Sequence, residues 1–163
     1  MTLSVTFRLS TEADAPYLKK WLDDPKILSW FPMINEKEID DAVRIWIYFV
    51  KQGAGITAEY QGEPCGMAVL NLQPFKKLAH QCLISIVVSE NMRNKGIGTA
   101  LMKELMRLAK ETFKLESLHL EVYETNPAKH LYDRLGFTEF GRQEHFVKEK
   151  GEYLGKIMME SAL

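Results

Sequence analysis

Near the middle of the chain, seven consecutive residues combine two cations, two glycines and a hydroxyl group. Residues 93–99 read Arg-Asn-Lys-Gly-Ile-Gly-Thr, after an apolar run typical of a buried strand and before a pattern typical of a helix. A helix start presents unpaired main-chain N–H groups and a partial positive charge, so a phosphate bound there gains directed hydrogen bonds. Glycines let the phosphate approach, and Arg93, Lys95 and Thr99 add two charges and a hydroxyl. The segment predicts a phosphate-binding turn.

Two better-known phosphate-binding turns do not fit this segment. The P-loop pattern G-x-x-x-x-G-K-[ST] is absent, and the dinucleotide fingerprint G-x-G-x-x-G needs a third glycine where Leu101 stands. What remains is Arg-x-x-Gly-x-Gly, formed by Arg93, Gly96 and Gly98. From these residues alone, a glycine-bearing helix start with solvated charges is an open alternative.

A second segment, residues 126–137, could contribute an acid. It reads Asn-Pro-Ala-Lys-His-Leu-Tyr-Asp-Arg-Leu-Gly-Phe, which predicts a short helix capped by Asn126 and stopped by Gly136. A phenol such as Tyr132 is protonated at neutral pH and can donate a proton to a leaving group. Because Tyr132 falls on the apolar stripe of this helix, a purely structural core role is the alternative.

Together the two segments resemble the signatures of the GNAT (Gcn5-related) N-acetyltransferase superfamily. Residues 93–99 look like that family's pyrophosphate-binding motif, and the second segment, about thirty residues later, is similar to its other signature. The residues that carry the second similarity are Asn126, Ala128, Leu131, Tyr132, Gly136 and Phe137. The resemblance implies direct transfer of an acetyl group from acetyl-CoA to a primary amine, either a small molecule or a protein N-terminus. A non-catalytic acyl-CoA-binding or sensing module on the same fold is the alternative.

The resemblance also implies which residues contact acetyl-CoA. The main-chain amides that would hold the pyrophosphate are those of Arg93, Asn94, Lys95, Gly96, Ile97, Gly98 and Thr99. The preceding strand would direct the amides of Ile86, Val87 and Val88 toward the pantetheine arm and the thioester carbonyl. Asn126 and Tyr132 would complete the cosubstrate site, and no metal is implied.

By the same resemblance, Tyr132 is the general acid for the departing sulfur and Glu121 is the candidate general base. For Glu121, an exposed strand carboxylate without a catalytic role is the alternative. An attacking amine must first lose a proton, and a water molecule is the alternative base. Strand alternation places Glu121 on the polar face of residues 117–123. The apolar loop residues Trp30, Phe31 and Met33 are expected to bound the acceptor site, and packing under the second helix is the structural alternative for them.

The elements that position these residues are predicted from periodicity and caps. Helices are expected near residues 11–24, 35–53, 97–113 and 126–135, with a loop at 29–34, and the remaining patterns predict strands. The resemblance implies an α/β (α+β) fold with a mixed, mostly antiparallel sheet of six or seven strands flanked by four helices. We expect residues 1–163 to form a single N-acetyltransferase domain.

Composition limits the class of protein and the cellular compartment that the sequence is compatible with. The chain has 46% hydrophobic and 26% charged residues and a formal net charge of -1, typical of a globular protein and not of a dedicated nucleic-acid binder. Cys65 and Cys82 lack metal-ligand spacing and are expected to be free thiols. With neither a secretory signal pattern nor a run of about 20 apolar residues, we expect a cytoplasmic protein without membrane contact. Whether it forms a homodimer is left open.

Overall fold

The molecule is built on one twisted sheet with helices on both faces. A computed structural model describes residues 3–163. The strands are β1 Val5–Leu9, β2 Gly55–Tyr60, β3 Glu63–Asn71, β4 Gln81–Val88, β5 Ser117–Tyr123, β6 Thr138–Glu149 and β7 Glu152–Ala162. The sheet order is β1-β2-β3-β4-β5-β7-β6, and every adjacent pair is antiparallel except β4 and β5. The predicted mixed, mostly antiparallel sheet is confirmed, with seven strands.

The described residues form five α-helices where four were expected. They are α1 Ala15–Leu22, α2 Pro25–Leu28, α3 Glu36–Val50, α4 Ile97–Glu111 and α5 Ala128–Arg134. The additional helix, α2, is a single turn in a stretch where the sequence predicted only the end of α1 and a loop. Asp24 caps this turn by accepting a hydrogen bond from the Lys26 N–H at 3.0 Å, and Pro25 supplies a φ suited to the first helical position.

Each face of the sheet has its own apolar core. The buried stripe of α4, which includes Leu101 and Leu105, packs against one face of the sheet. Helices α1 to α3 cover the other face and bury Met67, Val69 and Val87. Fully burying a side chain of this size contributes about 1.5–3 kcal/mol, so the two cores hold the helices firmly on the sheet. None of the helices in residues 3–163 combines the length and the hydropathy that crossing a bilayer requires.

The only parallel pair in the described sheet, β4 and β5, separates after three residues. Pairing is confined to Gln81–Leu83 of β4 and Ser117–His119 of β5. Strand β4 continues to Val88 and β5 continues to Tyr123 without further pairing between them. Ligands commonly bind in the crevice beyond the carboxyl ends of parallel strands. The fold therefore places an open gap beside the two segments for which the sequence predicted chemistry.

Candidate active site

A cleft of about 780 Å³ lies where β4 and β5 diverge. Its walls come from β4, the β4–α4 turn, β5 and α5, together with residues 27–32 and two side chains of the β6–β7 hairpin. Side chains from both faces of the sheet line it, among them Val122 on the α4 side and Glu121 on the α1–α3 side. The cleft is therefore accessible to a ligand that passes through the gap between the strands.

The glycine-bearing turn leaves the first N–H groups of α4 without partners in the helix. Ala100 is the first residue whose N–H bonds back to this turn, at 3.1 Å to the Gly96 carbonyl. Gly96 has φ of +80°, in the left-handed region where a side chain introduces strain. A Cβ on Gly98 would lie 3.2 Å from Leu131, so glycine there allows α4 and α5 to approach each other. The amides of residues 97–99 therefore form a ready site for an anion.

The two cations of this turn differ in their position relative to the cleft. Arg93 lines the cleft and is anchored by Glu90, with 3.5 Å between its Nη1 and the carboxylate Oε2. Asn94, with φ of +60°, also lines the cleft. Lys95 is exposed and does not contribute to the described lining, so its charge acts from the solvent side.

Hydrogen bonds to β3 determine which β4 amides face the gap. Ser89 donates its N–H to the Cys65 carbonyl at 2.9 Å, and the Asn71 side chain donates to the Leu83 carbonyl at 3.1 Å. The main-chain groups of odd-numbered residues therefore face β3, and alternation directs those of Ile86 and Val88 toward the gap.

The N–H of Val87 does not face the gap, unlike the other two β4 amides expected to contact the cosubstrate. Its odd number in the strand turns its N–H into the β3 ladder, and its side chain packs in the core under α1 to α3. The sequence could not show this difference, because a continuous apolar run does not reveal which edge of the strand is paired.

Tyr132 lies in the wall of the cleft opposite β4. Its side chain is 8% exposed and packs edge-on against Phe137, with 6.2 Å between the ring centroids. Burial raises the pKa of the phenol to about 12, so it stays protonated at neutral pH. Within the described residues its hydroxyl has no hydrogen-bond partner. Asn126 positions the start of α5, since its Oδ1 accepts a hydrogen bond from the Ala128 N–H at 2.9 Å.

Glu121 lies on the other side of the gap and is ion-paired. Its Oε2 is 2.6 Å from Nζ of Lys156 on β7, a residue for which the sequence predicted no role. The Lys156 side chain is 12% exposed, and its ammonium lies 4.0 Å from the centroid of the Phe146 ring. No local pattern marks Lys156, because only the β5–β7 register brings it beside Glu121.

The predicted acceptor loop is only partly at the cleft. Trp30 and Phe31 line it, joined by Ile27 from α2. Met33 instead packs against the core under α1 to α3 and is not part of the described lining. The structural alternative for an apolar loop residue therefore applies to Met33.

These features define an α/β protein with an open cleft between two diverging strands and a glycine-bearing helix start beside it. Residues 11–137 match the model of the Acetyltransferase (GNAT) family, and the chain belongs to that family. The resemblance inferred from the two sequence segments is confirmed.

Curated relatives share part of the chain. It is 36% identical to an N-alpha-acetyltransferase of Sulfurisphaera tokodaii over 107 residues, which cover 60% of this chain and 64% of the relative. It is 25% identical to the L-amino acid N-acetyltransferase AaaT of Escherichia coli over 105 residues, covering 64% and 65% of the two chains. The matches thus span just under two thirds of the length of these relatives.

Solved structures match along nearly the whole chain. A ribosomal-protein-alanine N-acetyltransferase from Brucella melitensis superposes with a TM-score of 0.82 at 27% identity, covering 97% of this chain and 99% of the other. YncA of Salmonella typhimurium, described as a putative acetyltransferase with its cofactor acetyl-CoA, superposes with a TM-score of 0.82 at 19% identity, covering 97% and 93%. The second likeness shows the fold alone.

Proposed function

We propose that this protein is an acetyl-CoA-dependent N-acetyltransferase that acts on a primary amine by direct attack, without a covalent acetyl-enzyme. The observation that carries the proposal is the arrangement around the β4–β5 gap. The amides at the start of α4 and the side chain of Tyr132 line one cleft, and within residues 3–163 neither these amides nor the Tyr132 hydroxyl has a hydrogen-bond partner. The family membership and the named activities of the relatives support it.

The residues present fit acetyl-CoA, which supplies an acyl carbon activated by a thiol leaving group. The amides of residues 97–99 bind the pyrophosphate, supported by Arg93, Asn94 and the more distant charge of Lys95. The amides of Ile86 and Val88 bind the pantetheine arm and the thioester carbonyl. A donor placed where negative charge develops on such an oxygen is worth about 3–4 kcal/mol in comparable sites.

Two side chains handle protons in the proposed reaction. Glu121 accepts a proton from the incoming ammonium, directly through its free Oε1 or through a water molecule, which frees the lone pair for attack. Tyr132 donates a hydrogen bond and then its proton to the departing sulfur. Trp30 and Phe31 bound the acceptor, which is a small-molecule amine or a protein N-terminus. In this proposal residues 1–163 act as one domain.

Turnover with wild-type protein tests the proposal. We expect acetyl-CoA to raise the melting temperature, and a panel of amines to include acceptors that release free thiol. The panel should contain amino acids, peptides and polyamines. Binding of acetyl-CoA without thiol release for any acceptor would favour the sensing module instead. If the protein shows no binding and no thiol release, both functions are rejected. A direct assay of this chain is necessary because the matches cover only 64% and 65% of the length of the two relatives.

A Glu121→Gln substitution tests the base. The amide retains an oxygen acceptor for Lys156 but cannot take a proton, so we expect kcat/KM at neutral pH to fall about 100-fold. The deficit should shrink as the pH rises, because the amine then loses its proton to solvent. Thiol release measured across pH provides the readout, with Glu160→Gln, an exposed carboxylate on β7, as the matched control. An unchanged profile for Glu121→Gln would assign the proton to water.

A further inference from the structure

Lys156 is a nearly buried cation with more hydrogen-bond donors than acceptors among the described residues. Its ammonium carries three N–H bonds, and within the described residues Glu121 is its one hydrogen-bond acceptor. Its side chain is 12% exposed and lines the cleft on the acceptor side of the gap. A buried charge is costly unless its hydrogen-bonding capacity is used, so this ammonium favours a second oxygen acceptor.

Tyr123 provides another donor at the neighbouring position. It is paired in register with Lys156 across β5 and β7, and its ring packs edge-on against Phe146 with 6.1 Å between centroids. The side chain is 6% exposed and lines the same cleft, and its buried hydroxyl has no partner among the described residues. Burial, aided by Glu121 and Glu149, raises the pKa of this phenol to about 12, so it is a donor at neutral pH.

The charge of the cleft favours an acceptor that carries an anion. Among the described lining side chains, the one carboxylate is Glu121 and the cations are Arg93, Arg134 and Lys156. A polyamine brings two or more ammonium groups, and beside Glu121 its second ammonium would meet the charge of Lys156. A molecule with one amine and one carboxylate instead matches both partners of the Glu121–Lys156 pair.

The short distance between Glu121 and Lys156 also favours an amino acid over a polyamine. The carboxylate and ammonium of the pair are 2.6 Å apart, and an α-amino acid also carries its two charges on adjacent groups of one carbon. Such a molecule can place its amine at Glu121 and its carboxylate at Lys156 simultaneously. The apolar side chains of Ile27 and Phe31, which also line the cleft, suit an aliphatic or aromatic substituent.

We propose that the acceptor is an α-amino acid whose free carboxylate is bound by Lys156 and Tyr123. The inference rests on the proposed N-acetyltransferase function. It makes these two residues determinants of acceptor specificity and requires no covalent role for either.

A matched set of three acceptors tests the inference in wild-type protein. L-Leucine, L-leucinamide and a leucyl dipeptide share the amine and the side chain, but only leucine has a free carboxylate on the carbon that bears the reacting amine. With rates expressed per free-amine form, because amidation lowers the amine pKa, kcat/KM should favour leucine over either analogue by about tenfold or more. A ratio near one would overturn the inference while leaving the enzymatic function intact. Failure of every amine to release thiol would instead remove the proposed function.

A Lys156→Met variant then locates the effect. Any change in the reactivity of Glu121 affects both acceptors alike and cancels in the leucine-to-leucinamide ratio, which should fall toward one. Tyr123→Phe should lower the ratio by a smaller factor. Lys110→Met, an exposed lysine near the end of α4, should keep the wild-type ratio. A wild-type ratio preserved in Lys156→Met would show that the carboxylate is bound elsewhere, and the wild-type comparison remains decisive if that variant fails to fold.

Discussion

Replacing Tyr132 with phenylalanine is expected to lower kcat about 100-fold or more while changing the dissociation constant of acetyl-CoA by less than about threefold. The substitution keeps the ring that packs against Phe137 and removes only the hydroxyl. That hydroxyl matters most when negative charge forms on the departing sulfur, so its loss should affect the transition state more than binding. Thiol release gives kcat, and calorimetric titration gives the dissociation constant.

The pH dependence of the wild type provides a second measurement of the same residue. Burial raises the pKa of Tyr132 to about 12, so the protonated donor persists well above neutral pH. A free thiol has a pKa of about 8.5, and the same burial that raises the phenol also disfavours a thiolate, which keeps proton donation feasible. We therefore expect no loss of activity between pH 8 and pH 10 that depends on Tyr132.

A control separates the proton donor from a general effect of removing a tyrosine. Tyr48→Phe changes an exposed tyrosine on α3 and should retain wild-type kcat. Wild-type kcat in Tyr132→Phe would return Tyr132 to the role of a core residue and require another acid.

The largest expected loss of stability comes from Asp14, which lies outside the cleft. Its carboxylate is 2% exposed and joins the start of α1 to the sheet. Arg8 donates to both of its oxygens at 2.8 and 2.9 Å, and the Thr11 N–H and the Thr57 hydroxyl each donate at 2.9 Å. An Asp14→Asn substitution removes the charge. It also replaces one acceptor oxygen with an NH2 group, which cannot accept the hydrogen bonds that these residues donate.

Breaking such a buried pair costs about 3–5 kcal/mol. For a domain of this size we expect the melting temperature to fall on the order of 10 °C. Thermal and urea unfolding at neutral pH measure the change. Asp41→Asn, which breaks an exposed ion pair with Arg44 on α3, is the matched control and should cost less than about 1 kcal/mol. Equal effects of the two substitutions would show that the buried network contributes little.

At acidic pH, the difference in the free energy of unfolding between wild type and Asp14→Asn should decrease. Burial alone favours the neutral acid, but the hydrogen bonds from Arg8, Thr11 and Thr57 outweigh it and hold the pKa of Asp14 below its ordinary value. A carboxylate with a depressed folded-state pKa stabilises the fold above its unfolded-state pKa of about 3.9, and that contribution is lost as the pH falls through the folded-state value. The free energies of unfolding should therefore converge in strong acid.

Much of the proposed cosubstrate site could be described from the sequence because its requirements are local. A turn that exposes amides at a helix start needs glycine at particular positions, and Gly96 does take the left-handed conformation. The hydrogen bond from the Ala128 N–H to the Asn126 side chain before α5, and the termination at Gly136 with φ of +94°, are likewise set by neighbouring residues. These local patterns sufficed to identify the family and the sheet.

The proposed acceptor side depends on tertiary structure. Strand pairing brings Lys156 to Glu121 across 35 positions of sequence, directs the main-chain groups of Ile86 and Val88 into the gap and turns the N–H of Val87 toward β3. The separation of β4 from β5 depends on which residues stop pairing, and no short pattern records that. The sequence thus determined groups held by their own backbone conformation, whereas contacts that depend on register between distant strands exist only in the folded chain.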